Sequence, residues 1–218
     1  MKKLMLVITI FVLIFSFCAC DSKNEDEIYD NSFYEEFPTG DEVVTIEIEK
    51  NPQAEITLTD GSTIIIELRY DIAPNAVANF IAFADEKIYD KMAFTDVRRN
   101  CIVMTDTLES EFVPPYYVMD ELDNGSDSLS HIRGTVSMIR ETSSDSLTGQ
   151  FFILTEDQKH FDATFTAFGT VIEGMENLDK IAASEVDEKG NLVAPVEIEK
   201  VKVRTYGEKF PLPTIIRK

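Results

Sequence analysis

The chain has 218 residues, 44% of them hydrophobic, enough for one sizeable core and about one domain once a leader and a tail are set aside. Forty acidic against 20 basic side chains give a net charge of −20, which repels phosphate backbones and excludes nucleic acid as a partner. Much of that acidity reads as a solvated surface.

Lys2 and Lys3 precede an almost unbroken apolar run from Leu4 to Phe17, and Cys18-Ala19-Cys20-Asp21 follows. A basic start, an apolar middle and a small residue before a cut predict an export signal over 1–19. The run is shorter than the ~20 apolar residues a spanning helix needs. Cys20, with Ala19 before it, resembles the lipobox of bacterial lipoproteins, although Phe17 stands where that motif usually carries leucine. The resemblance implies acylation of Cys20 and attachment to a membrane from outside the cytoplasm, as an extracytoplasmic lipoprotein of the cell envelope. Two or more acyl chains suffice for stable anchoring. Removing the leader leaves Cys101 as the one free thiol, so no intrachain disulfide framework is expected.

From Asp21 to Glu42 there are nine acidic residues and one lysine, and residues 20–42 are expected to be a disordered acidic tether. At Val43 the character changes. Val43 to Ile48 and Ala54 to Leu58 alternate, and Thr63 to Leu68 is β-branched and apolar after the Asp60-Gly61 turn, which predicts three strands, the last two forming a hairpin. Pro74 can open a helix, and Val77, Phe80, Ile81, Ala84 and Ile88 recur on one face of it. Short strand-like segments follow around Phe94, Ile102, Thr135 to Met138, Phe151 to Leu154 and Phe168 to Ile172. A second helix over Met175 to Ala182 follows Gly174, and Val196 to Val203 alternates again. Many short strands with two helices predict a mainly β protein built as a closed antiparallel barrel. Its expected bounds are 43–205, with an extended tail over 206–218 in which Phe210-Pro211-Leu212-Pro213 lies on the barrel.

Particular motifs carry the reading further. Gly149-Gln150-Phe151-Phe152-Ile153-Leu154 is followed by Phe161-Asp162 and by Phe168-Gly169-Thr170-Val171-Ile172-Glu173-Gly174-Met175. Before it stand His131-Ile132-Arg133-Gly134-Thr135-Val136-Ser137-Met138-Ile139-Arg140 and Asp145-Ser146, and earlier still Ala73-Pro74-Asn75, Asn79-Phe80 and Tyr89-Asp90. In this order, over roughly residues 54 to 204, the chain resembles the bacterial branch of the cyclophilin-type peptidyl-prolyl cis-trans isomerases. The resemblance implies an eight-stranded closed barrel capped by two helices. It also implies a cleft for proline-containing peptides or unfolded exported proteins, with Phe152 as floor for a proline ring and Gln150 hydrogen-bonding the peptide backbone. Phe161, Phe165, Ile102, Met104, Arg140 and His160 would border it. Phe151 is expected to be an ordinary strand residue facing the core.

The chain also departs from that family. Rotation about an X-Pro bond must break amide resonance against ~18–20 kcal/mol, and the family's catalyst is an arginine within a Phe-His-Arg-Val pattern. Here the stretch reads Phe94-Thr95-Asp96-Val97-Arg98-Arg99, so Asp96 holds the arginine position and, ionised, cannot donate a hydrogen bond. Met104 replaces an expected glutamine, Thr105-Asp106 replace glycines, and Phe165 replaces a histidine. Arg98, two residues beyond Asp96, points to the same side of a regular strand roughly 7 Å further along, and it and Arg140, which borders the expected cleft, are the candidate substitutes. Asp96 could equally pair with one of them and remove its charge.

Three readings stay open: a peptidyl-prolyl isomerase of exported proteins with weakened catalysis, a non-catalytic proline-peptide-binding chaperone or docking lipoprotein, and a structural lipoprotein with a filled cleft. His131, His160 and Cys101 lack the spacing of a zinc site, no glycine-rich phosphate loop follows a strand, and no cofactor or metal is expected. The chain is expected to act as a monomer.

Overall fold

The computed structural model describes residues 35–40, 42–99, 101–108, 112–122, 128–140 and 146–216. The expected leader, Cys20 and the tether up to residue 34 lie outside them. Among the described residues ten strands and two α-helices are formed in the order β1 (Gln53–Leu58), β2 (Thr63–Leu68), α1 (Pro74–Asp85), β3 (Met92–Arg98), β4 (Ile102–Thr107), β5 (Tyr117–Met119), β6 (Thr135–Arg140), β7 (Ser146–Leu154), β8 (Ala167–Glu173), α2 (Met175–Ala182), β9 (Asn191–Arg204) and β10 (Ile215–Ile216).

Eight of the strands make a ring in the order β7-β4-β3-β9-β1-β2-β8-β6, and β6 pairs back onto β7 to close it. Every pairing is antiparallel. The expected closed eight-stranded antiparallel barrel with two helices is therefore present. β5 and β10 add a short flap outside the ring, attached where β5 pairs with the first residues of β7. The β1–β2 hairpin turns at Asp60-Gly61, where the Asp60 carboxylate accepts from the Ser62 N–H at 2.8 Å and Gly61 takes a φ of 83°.

The barrel interior is filled from the inward-facing side of each strand by Ile56, Ile64, Ile66, Phe94, Phe151 and Phe168, all fully buried. α1 packs against β5, β7 and β9, and sends Phe80 onto Phe151 and Phe168 with ring centroids 5.7 and 5.6 Å apart. Its pattern predicts one apolar face, yet Asn75 through Ala84 are all buried. The reason is the second layer outside it: Phe112 and Tyr116 pack on Phe83 from the segment before β5. Gly149 is demanded by that closeness, since a Cβ there would collide with the Phe83 ring. Its φ of 93° also lies where side chains are disfavoured.

Val43 to Ile48 is not a strand. The segment is extended but carries no ladder, because both edges of β1 are already taken by β2 and β9 and a closed ring has no free edge to offer. It is held instead by single contacts: the Ile46 N–H donates to the Tyr70 hydroxyl at 3.2 Å, and the Thr214 hydroxyl donates to the Glu42 carbonyl at 2.9 Å. Packing also begins ahead of Val43. Phe37 is buried and meets Tyr116 edge-on at 5.3 Å, while Thr39 bridges Ile215. The tail past 206 packs as well: Phe210 lies edge-on to Tyr70 at 4.8 Å, and Thr214 exchanges hydrogen bonds with the Asn75 side chain at 2.8 and 3.0 Å. Phe37→Ala is therefore expected to lower stability by about 3–5 kcal/mol, the usual cost of emptying a buried aromatic site. Urea unfolding checks this, and a loss under 1 kcal/mol would mean that Phe37 is not part of the packed body.

α1 has no side-chain cap of its own. Glu121, far along the chain, supplies one by accepting from the N–H groups of Asn75 at 3.0 Å and Ala76 at 2.8 Å. Burial pushes the Glu121 carboxyl up to about 7 despite those two bonds, and Asp120 adds to the effect. The native state then holds a proton that the unfolded chain has released, so this group's contribution to stability falls as pH rises from about 4.5 to about 7 and is flat above. The expected loss across that window is on the order of 3 kcal/mol relative to Glu121→Gln. Chemical denaturation of both proteins from pH 4.5 to 7.5 measures it. Parallel curves would show that Glu121 titrates as an ordinary carboxylate.

Candidate active site

Alternation along β7 sends Phe151 into the barrel and Phe152 to the other side. There Phe152 meets Met104, its cross-strand neighbour on β4, and Ile102 two residues before it. Phe161 and Phe165 come from the turn between β7 and β8, and Ile139 and Arg140 from the end of β6. With Thr164 these residues line a cleft of about 530 Å³. The three phenylalanines stand mutually edge to face, with Phe152–Phe165 at 5.1 Å, Phe161–Phe165 at 5.0 Å and Phe152–Phe161 at 6.0 Å. Phe152 is 2% exposed, a floor that touches solvent only through the cleft. Size and apolar lining suit one small ring with part of its backbone.

Among the described residues Arg140 is the one charged side chain in this lining. Its Nη1 donates to the Thr164 carbonyl at 3.2 Å, and its Nη2 lies 3.5 Å from Asp120. The guanidinium thus stands at the wall with its orientation set by two elements. Asp96 and Arg98 are not among the lining residues. They are paired with each other at 2.5 Å, and Arg98 lies against the turn at Gly190. Asp96 nevertheless sits one strand behind the cleft, directly across from Met104. Of the two alternatives the sequence left open for this pair, mutual neutralisation is the one formed.

Gln150 is half-buried outside the lining, and its amide donates to the Thr105 carbonyl at 3.1 Å, on the β4 side of the cleft. His160 is exposed outside the lining too, with its ring 4.4 Å from Phe161 and its Nε2 3.4 Å from Arg99. Ile139 and Thr164 complete the lining; Ile139 belongs to the stretch from His131 to Arg140 without any feature that marks it as a cleft residue, and Thr164 belongs to no motif. Beneath the floor lies buried His131, its Nδ1 2.9 Å from Asp162 and its Nε2 2.9 Å from the Ser137 hydroxyl. Burial lowers its basicity more than Asp162 raises it, so the imidazole is neutral near pH 7. The Cys101 thiol, also behind the floor, is pushed up by burial and by Glu156, and stays protonated. Among the described residues no three metal-binding side chains converge.

The family model for cyclophilin type peptidyl-prolyl cis-trans isomerase/CLD matches residues 54–203, the whole ring from β1 almost to the end of β9. The chain belongs to the cyclophilin-type peptidyl-prolyl isomerases. Among curated relatives it is 31% identical over 159 residues to peptidyl-prolyl cis-trans isomerase A of Dickeya dadantii, covering 66% of this chain and 81% of the relative. It is 32% identical over 129 residues to a peptidyl-prolyl cis-trans isomerase of Acinetobacter baylyi, covering 57% and 69%. Among solved structures, the cyclophilin type isomerase of Cryptosporidium parvum, crystallised in the presence of the dipeptide Ala-Pro, superposes with a TM-score of 0.59 at 20% identity, over 70% of this chain and 99% of that one. This last likeness is one of fold. In this cyclophilin Phe152 floors the cleft, and the one arginine of β3, Arg98, is paired with Asp96.

Proposed function

We propose that this cyclophilin binds proline-containing segments of exported proteins in the Phe152 cleft and isomerises their X-Pro bonds at a reduced rate, from a lipid anchor at Cys20 outside the cytoplasm. The observation that carries the reading is the apolar cleft walled by Phe152, Phe161, Phe165, Ile102 and Met104. Such a cleft grips the proline ring while the residue before it turns, and the chemistry needs neither nucleophile nor metal. Acceleration depends on binding the twisted imide more tightly than either planar form. A donor aimed at the carbonyl or imide nitrogen normally adds ~2.7–4 kcal/mol to that preference. With Asp96 at the family's arginine position and Arg98 tied to it, Arg140 is left as the lining cation on the far wall.

A second reading is favoured by the same ion pair: a module that captures proline peptides without turning them over. Exchange spectroscopy of an Ala-Pro peptide with the full-length chain separates the two. The expected result is saturable binding with cis–trans exchange faster than the uncatalysed reaction. Binding without faster exchange supports the capture module, and no shift of any peptide resonance at millimolar peptide defeats both.

A further inference from the structure

We propose that His131 is a positioning residue, which holds the floor and one wall of the cleft in register through the hydrogen-bonded chain Asp162–His131–Ser137. The proposal rests on the reading of the Phe152 cleft as the peptide site. Asp162 directly follows Phe161, the wall, and Ser137 is the cross-strand partner of Phe152, the floor. His131 joins them. Its ring lies nearly parallel to Phe152, at 24° and 6.5 Å, and edge-on to Phe161, at 89° and 5.9 Å.

The chemistry allows one arrangement of protons. Asp162 takes the His131 backbone N–H at 2.6 Å and the Ser130 hydroxyl at 3.0 Å as well as the ring. Although burial acts to raise it, these bonds together hold the carboxyl below the usual carboxylate range, so it is ionised and only accepts. Nδ1 must therefore carry the proton, and bare Nε2 accepts from the Ser137 hydroxyl. Bonds at opposite corners of the ring leave it one orientation in its plane, and that orientation sets both aromatic contacts. The order Ser-His-Asp is not a nucleophilic triad, because Ser137 is 0% exposed and no substrate carbonyl can approach its hydroxyl.

The test uses the full-length chain, the ¹⁵N signals of His131, and titration with an Ala-Pro peptide. The wild-type imidazole is expected as a fixed Nδ1–H tautomer near pH 7.5. His131→Phe, which keeps the ring's bulk and loses both bonds, is expected to weaken peptide binding about tenfold with a native circular dichroism spectrum. His131→Asn, whose amide can still donate to Asp162, is expected to recover most of that loss. If His131→Phe does not fold, Ser137→Ala removes one link alone and is expected to weaken binding about threefold. A wild-type ring averaging between tautomers, unchanged affinity in the folded substitution, or an asparagine variant no better than phenylalanine would each overturn the proposal. The tautomer is read without peptide, so a wild-type chain that binds no Ala-Pro peptide counts against the proposed function and leaves the hydrogen-bonded chain separately decided.

Discussion

Asp96→Arg is expected to raise the rate of Ala-Pro isomerisation by ~100- to 1000-fold, the value of one donor aimed at developing charge. Asp96 sits opposite Met104, which lines the cleft, and cross-strand neighbours on one face have their Cβ atoms about 4.5–5.5 Å apart. An arginine side chain is long enough to pass Met104 and bring its guanidinium to the mouth above Phe152. The substitution also unties Arg98, whose partner is the Asp96 carboxylate. Asp96→Ala separates the two effects, since it frees Arg98 without adding a donor. A large gain in the arginine variant alone assigns the deficit to the missing donor, and an equal gain in both assigns it to the ion pair. No gain in either would mean that the chain's catalysis, whatever its rate, does not depend on this position.

Phe152→Ala is expected to remove peptide binding to the limit of detection and to cost about 3–5 kcal/mol of stability. Both effects have one origin. The ring is 2% exposed and contacts His131, Phe161 and Phe165, so its loss opens the floor into the space behind the cleft and releases two walls at once. Because alanine confounds binding with folding, Phe152→Leu is the paired variant. Leucine keeps most of the apolar volume, so the cost falls to about 1–2 kcal/mol, well below that of alanine, yet it replaces a flat floor with a branched one. The expected reading is a folded protein that keeps most of its stability, with affinity about tenfold weaker. Native affinity in Phe152→Leu would show that proline is held elsewhere.

Most of the ring was legible in the chain. β-Branched alternation and the Asp60-Gly61 turn mark β1 and β2, Pro74 marks the start of α1, and the Gln150-Phe151-Phe152 run sorts its two rings to opposite faces, as found. Val43 to Ile48 alternates just as well and fails, because alternation describes a strand's faces and says nothing of a free edge to pair with. β5 and β10 have three and two residues, too short for any period, and exist only because β7 extends beyond β4. The aromatic walls of the cleft were readable from motifs. The ties between them were not: Ser137, His131 and Asp162 are polar residues spread over β6, its lead-in and a later turn, and only the closed barrel brings them within hydrogen-bond reach.

The ring closes between chain positions that lie far apart in sequence. Ala54 faces Val203 and Ile56 faces Val201, so the barrel is sealed by pairing its first strand with its last. Bringing those ends together spends loop entropy before any ladder returns it, and high contact order of this kind slows folding. During synthesis the hairpin β1–β2 and α1 emerge early, but neither β1 nor β3 has its second neighbour until β9 leaves the ribosome. A chain of this topology stays open, with unpaired strand edges, until β9 has been made. That is a liability for a protein folding where it is made, and an advantage for one that must first be threaded through a pore.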